Sequence, residues 1–181
     1  CRSLSAGHRL PRRSVVVTFD DGYFDLLAHA PPLLARHAVP ATAFVSTAEL
    51  GTNDERWWDE LAYLRSKAHA TPSPQVPDGA RPAEVADSDA GMPSYGRLRG
   101  MPAEKRRAEL DALAERLGTA RPRRAEYRSL SVPELVELGS DGLVEIGAHT
   151  VSHEPLSSLP ADEQAAEIMG SKTTLETMIG G

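Results

Sequence analysis

Apolar positions in this chain follow two spacings. Val15, Val16, Val17, Thr18 and Phe19 form a β-branched run without polar alternation, the pattern of a buried strand. The run ends in two adjacent carboxylates and a glycine, Asp20-Asp21-Gly22. Across residues 23–38 the spacing turns helical, with Leu26, Leu27, Ala30, Leu33, Leu34 and Ala38 as the apolar set. Pro31 and Pro32 interrupt it. A proline in a helix interior costs about 3 kcal/mol. The spacing therefore predicts a short turn to His29, then a helix with proline in its first turn. Pro40 closes that unit, and residues 41–46 read as a second strand. Strand, helix and strand in such close succession form a βαβ unit, which implies parallel strands and a right-handed crossover.

Beyond it, residues 53–67 place Trp57, Trp58, Leu61 and Leu64 at helical spacing. One tryptophan is expected in a core and the other half-buried, in preference to a sugar-stacking pair. Residues 71–102 are rich in Pro, Gly, Ala, Ser and Asp and read as a disordered-looking, flexible loop. Residues 103–117 form an amphipathic helix with Leu110, Leu113, Ala114 and Leu117 on one stripe, stopped by Gly118. Ser131-Val132-Pro133-Glu134 has the form of a capping box opening a short helix. Residues 143–148 are the third strand, which delivers His149 at its C-terminal end. Residues 161–179 form the last helix, with Asp162 and Glu163 at its positive end. Its expected buried stripe is Ala165, Ile168, Met169, Leu175 and Ile179, and Gly180-Gly181 its cap.

These elements define an α/β fold in a single domain over 1–181, interrupted at 54–128 by a helical and flexible insertion. The chain stops where a βα barrel would need another strand, so it reads as an incomplete domain. Its unpaired last edge predicts poor solubility in isolation.

The length of 181 residues allows one sizeable core. A formal net charge of −6 argues against nucleic acid as a partner. The basic clusters Lys105-Arg106-Arg107 and Arg121-Pro122-Arg123-Arg124 read as solvated surface. No apolar run is long enough to span a membrane. Cys1 is the sole cysteine, so no internal disulfide framework exists. Residues 1–13 read as a loop leading into the first strand, and no signal peptide is visible.

The chemistry lies at the strand ends. Two acids closing a buried strand resist joint ionisation, and they persist where a metal or a catalytic task compensates them. Far downstream stands His149-Thr150-Val151-Ser152-His153, with two imidazoles four apart. Reactive groups of parallel α/β folds gather at C-terminal strand ends. Asp20, Asp21 and His149 each follow such an end. Two histidines and a carboxylate with open positions are a common ligand set for zinc or a related divalent ion. An isolated pair of hydrogen-bonded loop histidines is the plain alternative, and the nearby acid pair weighs against it. No G-x-S-x-G is present, so serine hydrolase chemistry is unsupported.

These residues resemble the first two motifs of the polysaccharide deacetylases, the NodB homology domain or carbohydrate esterase family 4. Thr18-Phe19-Asp20-Asp21-Gly22 matches T-F-D-D-G, and His149 to His153 matches H-[ST]-x-x-H, in the family's order. The resemblance implies a partial, distorted (β/α) barrel and a metal-dependent hydrolase that removes N-acetyl groups from an N-acetylated polysaccharide or oligosaccharide. It makes Asp21, His149 and His153 the ligands of a divalent ion, zinc first, cobalt or another divalent ion otherwise. It makes Asp20 the general base that helps an activated water attack the amide carbonyl. It also implies an envelope or exported location.

The family's later motifs supply an arginine that orients the base, an oxyanion-hole group and a proton-donating histidine. None has a counterpart here, because the chain ends first, and His8, His29, His37 and His69 read as solvated and are poor candidates for the missing acid. Two further readings stand beside this one. One is a metal-dependent amidase acting on a small non-sugar amide; the other is a catalytically incomplete protein that binds metal or glycan.

Overall fold

A computed structural model describes residues 12–70 and 92–180. In chain order the elements are β1 (Val17–Phe19), α1 (Phe24–His37), β2 (Ala41–Val45), α2 (Trp57–Ala70), α3 (Tyr95–Arg99), α4 (Ala103–Arg116), α5 (Val132–Ser140), β3 (Val144–Ala148) and α6 (Ala161–Ile179). They divide into two compact units, Cys1–Thr52 with Ser129–Gly181, and Asn53–Arg128.

In the first unit three strands form one parallel sheet in the order β1-β2-β3. Val17 pairs with Ala41, and Ala41 in turn with Val144, so one pleat runs across the sheet. Ala41, Ala43 and Val45 are buried, whereas the alternate residues Thr42 and Phe44 are only half-buried. The buried face meets Leu26, Ala30 and Leu34 from α1, Leu135 and Leu138 from α5, and Leu175 from α6. Each such leucine contributes about 1.5–3 kcal/mol relative to exposure. Both α5 and α6 pack on β3. The architecture is mixed helix and parallel sheet. The described residues form an open three-stranded parallel sheet with helices packed on it.

Five local expectations need correction. Val15 and Val16 are 86% and 72% exposed, not part of a buried strand. Pro40 has no N–H to offer a ladder, so pairing begins at Ala41 and its partner Val17. Helix α1 runs unbroken from Phe24 through both prolines. Those prolines leave the carbonyls of Leu27 and Ala28 without helical donors. Ala28 and Pro32 are exposed, so water reaches that side, while Leu26, Ala30 and Leu34 stay buried on the other. The helix ends at Ala38, in the left-handed conformation (φ 50°), with Val39 N–H on the Leu34 carbonyl.

The buried stripe of α6 is rotated from the expected one. Ser171 and Leu175 are buried, whereas Ile168, Met169 and Ile179 are 48%, 58% and 38% exposed and Ala165 is exposed. Leu175 joins the core, and Glu167 two turns before it meets the loop described below. Gly180 caps the helix at φ 72°, its N–H on the Glu176 carbonyl; Gly181 lies outside the described residues.

The second unit is helical around Leu61, Leu64, Leu98, Leu110, Leu113 and Ala114. Of the loop expected over 71–102, residues 71–91 lie outside the described residues, and the remainder contains α3. Ser94 caps that helix by accepting from the Arg97 N–H, and Leu98 is fully buried. One cap and one anchoring leucine outweigh the polar composition. Trp57 and Trp58 are both half-buried. Trp57 stacks on Tyr95 at 5.0 Å and lies 4.9 Å from the Arg106 guanidinium, so its partners are within the protein.

Candidate metal centre

The turn after β1 separates two carboxylates that are adjacent in sequence. Asp21 and Gly22 both take left-handed backbone, at φ 73° and 78°, and Gly22 N–H returns to the Asp20 carbonyl at 2.9 Å. Aspartate tolerates that region better than most residues. Glycine is required next to it: a Cβ at position 22 would lie 2.7 Å from Val45 Cγ1. Leu130 N–H donates to the Gly22 carbonyl and anchors the turn. Asp20 is exposed and lines a cavity with Phe19, Tyr23, Leu26 and His29. Asp21 is half-buried and faces the histidines.

The loop after β3 brings the imidazoles. His149 N–H donates to the Val45 carbonyl at 3.0 Å and extends the ladder by one residue. Beyond it, Thr47 and Ala48 donate to the carbonyls of Thr150 and Val151. The chain then turns through Thr150 at φ 66° and His153 at φ 58°. A β-branched residue is seldom found there, and such backbone costs about 1–3 kcal/mol. The turn is held from two sides. His153 N–H donates to Thr150 Oγ1 at 3.1 Å. From α6, the Glu167 carboxylate accepts from the N–H groups of Val151 and Ser152, both at 2.8 Å, and from Ser152 Oγ at 2.7 Å.

Three side-chain atoms meet as a result. Asp21 Oδ1 is 3.0 Å from His153 Nε2 and 3.5 Å from His149 Nε2, and the two Nε2 atoms are 3.2 Å apart. Ligands about 2.0–2.2 Å from a tetrahedral ion stand about 3.3–3.5 Å from one another. The observed sides of 3.0, 3.2 and 3.5 Å come within a few tenths of an ångström of that spacing, and the two imidazole nitrogens and one carboxylate oxygen form a donor set suited to a divalent cation. The residues present therefore fit such an ion.

Asp21, His149 and His153 thus come together, while Asp20, the preceding residue, lines the cavity along α1. His29 and His37 lie exposed on α1, away from that triangle. His8 and the His69 side chain lie outside the described residues. Sequence reasoning missed Glu167. Nothing marks it in the sequence, because a glutamate in the second turn of a helix reads as solvated surface.

The model of the polysaccharide deacetylase family matches residues 7–83 and 97–181, which include both motifs. The chain belongs to the polysaccharide deacetylase family. No curated protein and no solved structure matches the chain. Membership supports a hydrolase of the deacetylase type and, with it, a glycan as the substrate class. No helix among the described residues is long and apolar enough to cross a membrane.

Proposed function

We propose that this protein removes N-acetyl groups from an N-acetylated polysaccharide or oligosaccharide, with Asp21, His149 and His153 holding a divalent ion, zinc first, and Asp20 as the general base. The observation that carries this reading is the convergence of Asp21 Oδ1 and two Nε2 atoms within 3.5 Å of each other at the C-terminal end of the sheet. A bound ion would supply Lewis acidity, sharpening a water as nucleophile and drawing charge from the amide carbonyl.

The chain's own residues divide the remaining work. As a ligand, Asp21 would have its lone pair engaged and could not also take a proton. Asp20 is one peptide away and exposed, and no side chain among the described residues pairs with its carboxylate. It is therefore the carboxylate left to accept the proton of the attacking water, and that proton has to reach the amide nitrogen as the C–N bond breaks, so that acetate and a free amine result.

The test is acetate release from N-acetylglucosamine oligomers by the zinc-loaded protein and its Asp20→Asn variant. The substitution is expected to cut turnover by about 10²–10⁴-fold while metal content is kept. Loss of the metal instead would mean that the two aspartates have exchanged roles. Turnover confined to small non-sugar amides would move the substrate out of the glycan class.

A further inference from the structure

Glu167 holds the loop of the candidate centre and plays no part in the chemistry proposed above. It stands on α6, one helical turn before Gly170 and Ser171. Its two oxygens take three hydrogen bonds, all from residues between the two histidines. Gly170 adds a second contact with the same loop. A Cβ there would lie 3.1 Å from Val151 Cγ2, so the helix backbone lies against the loop at that point. Burial of Ser171 and Leu175, one and two turns further on, fixes the helix that presents both residues. This explains why α6 turns Glu167 inward at the expense of Ile168 and Met169.

The loop requires such an anchor. It holds two non-glycine residues in left-handed backbone, and neither Val151 nor Ser152 N–H meets a strand or helix carbonyl there. A carboxylate accepting two backbone N–H groups makes charge-assisted bonds, roughly twice as strong as neutral ones. With them the loop retains one shape, and His149 and His153 keep their Nε2 atoms 3.2 Å apart.

We propose that Glu167 is a positioning residue that sets the metal affinity of the candidate centre by fixing the loop between its two histidines. It would touch neither ion nor substrate. The inference rests on the metal reading given above, and its test separates the two.

Zinc affinity is measured by chelator competition for the protein and for Glu167→Ala, Glu167→Gln and the exposed control Glu163→Ala on the same helix. Amide hydrogen exchange at Val151 and Ser152 is followed in the metal-free proteins. Glu167→Ala is expected to lose about 10- to 100-fold in affinity, the range for an outer partner of a metal ligand. Its two amides should exchange at least about tenfold faster, because their acceptor is gone. Glu167→Gln keeps one acceptor oxygen and should recover part of both losses; Glu163→Ala should lose neither.

Equal zinc affinity in Glu167→Ala, or unchanged exchange at both amides, would overturn the proposal. A general loss of helical circular dichroism in Glu167→Ala, with no partial recovery in Glu167→Gln, would overturn it as well and make Glu167 a folding residue. Absence of zinc binding by the unaltered protein would overturn the metal reading, and the amide exchange would still decide whether Glu167 orders the loop.

Discussion

In the Asn53–Arg128 unit, Glu55 and Glu60 are only 5% and 1% exposed, and each has its countercharge built in. Glu60 receives the Arg107 guanidinium through both oxygens, and Arg121 lies 3.5 Å away. Glu55 receives the Arg124 guanidinium and backbone N–H, with Tyr127 beneath the same guanidinium at 3.6 Å. The strand ends of the other unit treat their acids differently. Asp21 faces two imidazoles, which carry charge only when protonated, and Asp20 faces solvent. An arginine always brings its charge, so Glu55 and Glu60 are complete as they stand. A carboxylate set among imidazole nitrogens offers lone pairs that a cation completes. The contrast separates acids that hold the fold from acids that hold chemistry, although all are Asp or Glu near a basic partner.

Glu60→Ala probes the first kind and carries the largest expected effect. It removes the main partner of Arg107, which retains Asp111, and should cost about 3 kcal/mol in urea unfolding, the lower end for breaking a buried pair. Zinc binding should be unchanged. A loss of zinc affinity here would erase the distinction between the two kinds.

Asp21→Asn probes the second kind. Asparagine accepts left-handed backbone, so the fold should survive with its unfolding midpoint nearly unchanged. Zinc affinity should fall by about 100-fold or more, beyond the range for an outer partner. A large fall in stability with affinity retained would make Asp21 an acid of the first kind.

Gly22→Ala tests whether the turn serves both fold and site. The new Cβ would meet Val45 while the backbone sits at φ 78°, and the cost should be about 2 kcal/mol. Zinc affinity should fall with it, since Asp21 must move. Smallest is Ser131→Ala, which removes the Ser131 half of the capping box on α5 and should cost about 1 kcal/mol with no effect on zinc.

Much of this arrangement was legible in the residues. Strands β2 and β3 announce themselves as short apolar runs bounded by Pro40 and by Gly142 and His149. The helix α4 shows its stripe, and Ser131 with Glu134 declares the start of α5. The two motifs mark the strand ends from which Asp21, His149 and His153 meet.

What escaped depends on contacts that no local pattern encodes. Whether Pro31 and Pro32 break α1 depends on whether water can reach the carbonyls they leave. The inward side of α6 carries Glu167 and Ser171 beside Leu175, two polar residues that a search for apolar stripes passes over. Helix α3 hides in a stretch of poor helix composition because its stability comes from Leu98 in a core built by distant residues. The role of Glu167 is invisible for the same reason: its partners are backbone N–H groups, and those look alike at every position.

The central claim concerns one ion and three side chains, and a crystal structure of the zinc-loaded protein with anomalous data at the zinc edge tests it most directly. One strong peak is expected about 2.0–2.2 Å from Asp21 Oδ1, His149 Nε2 and His153 Nε2 together, with Asp20 outside the coordination sphere. A peak bound elsewhere, or one that leaves any of those three atoms uncoordinated, would contradict it.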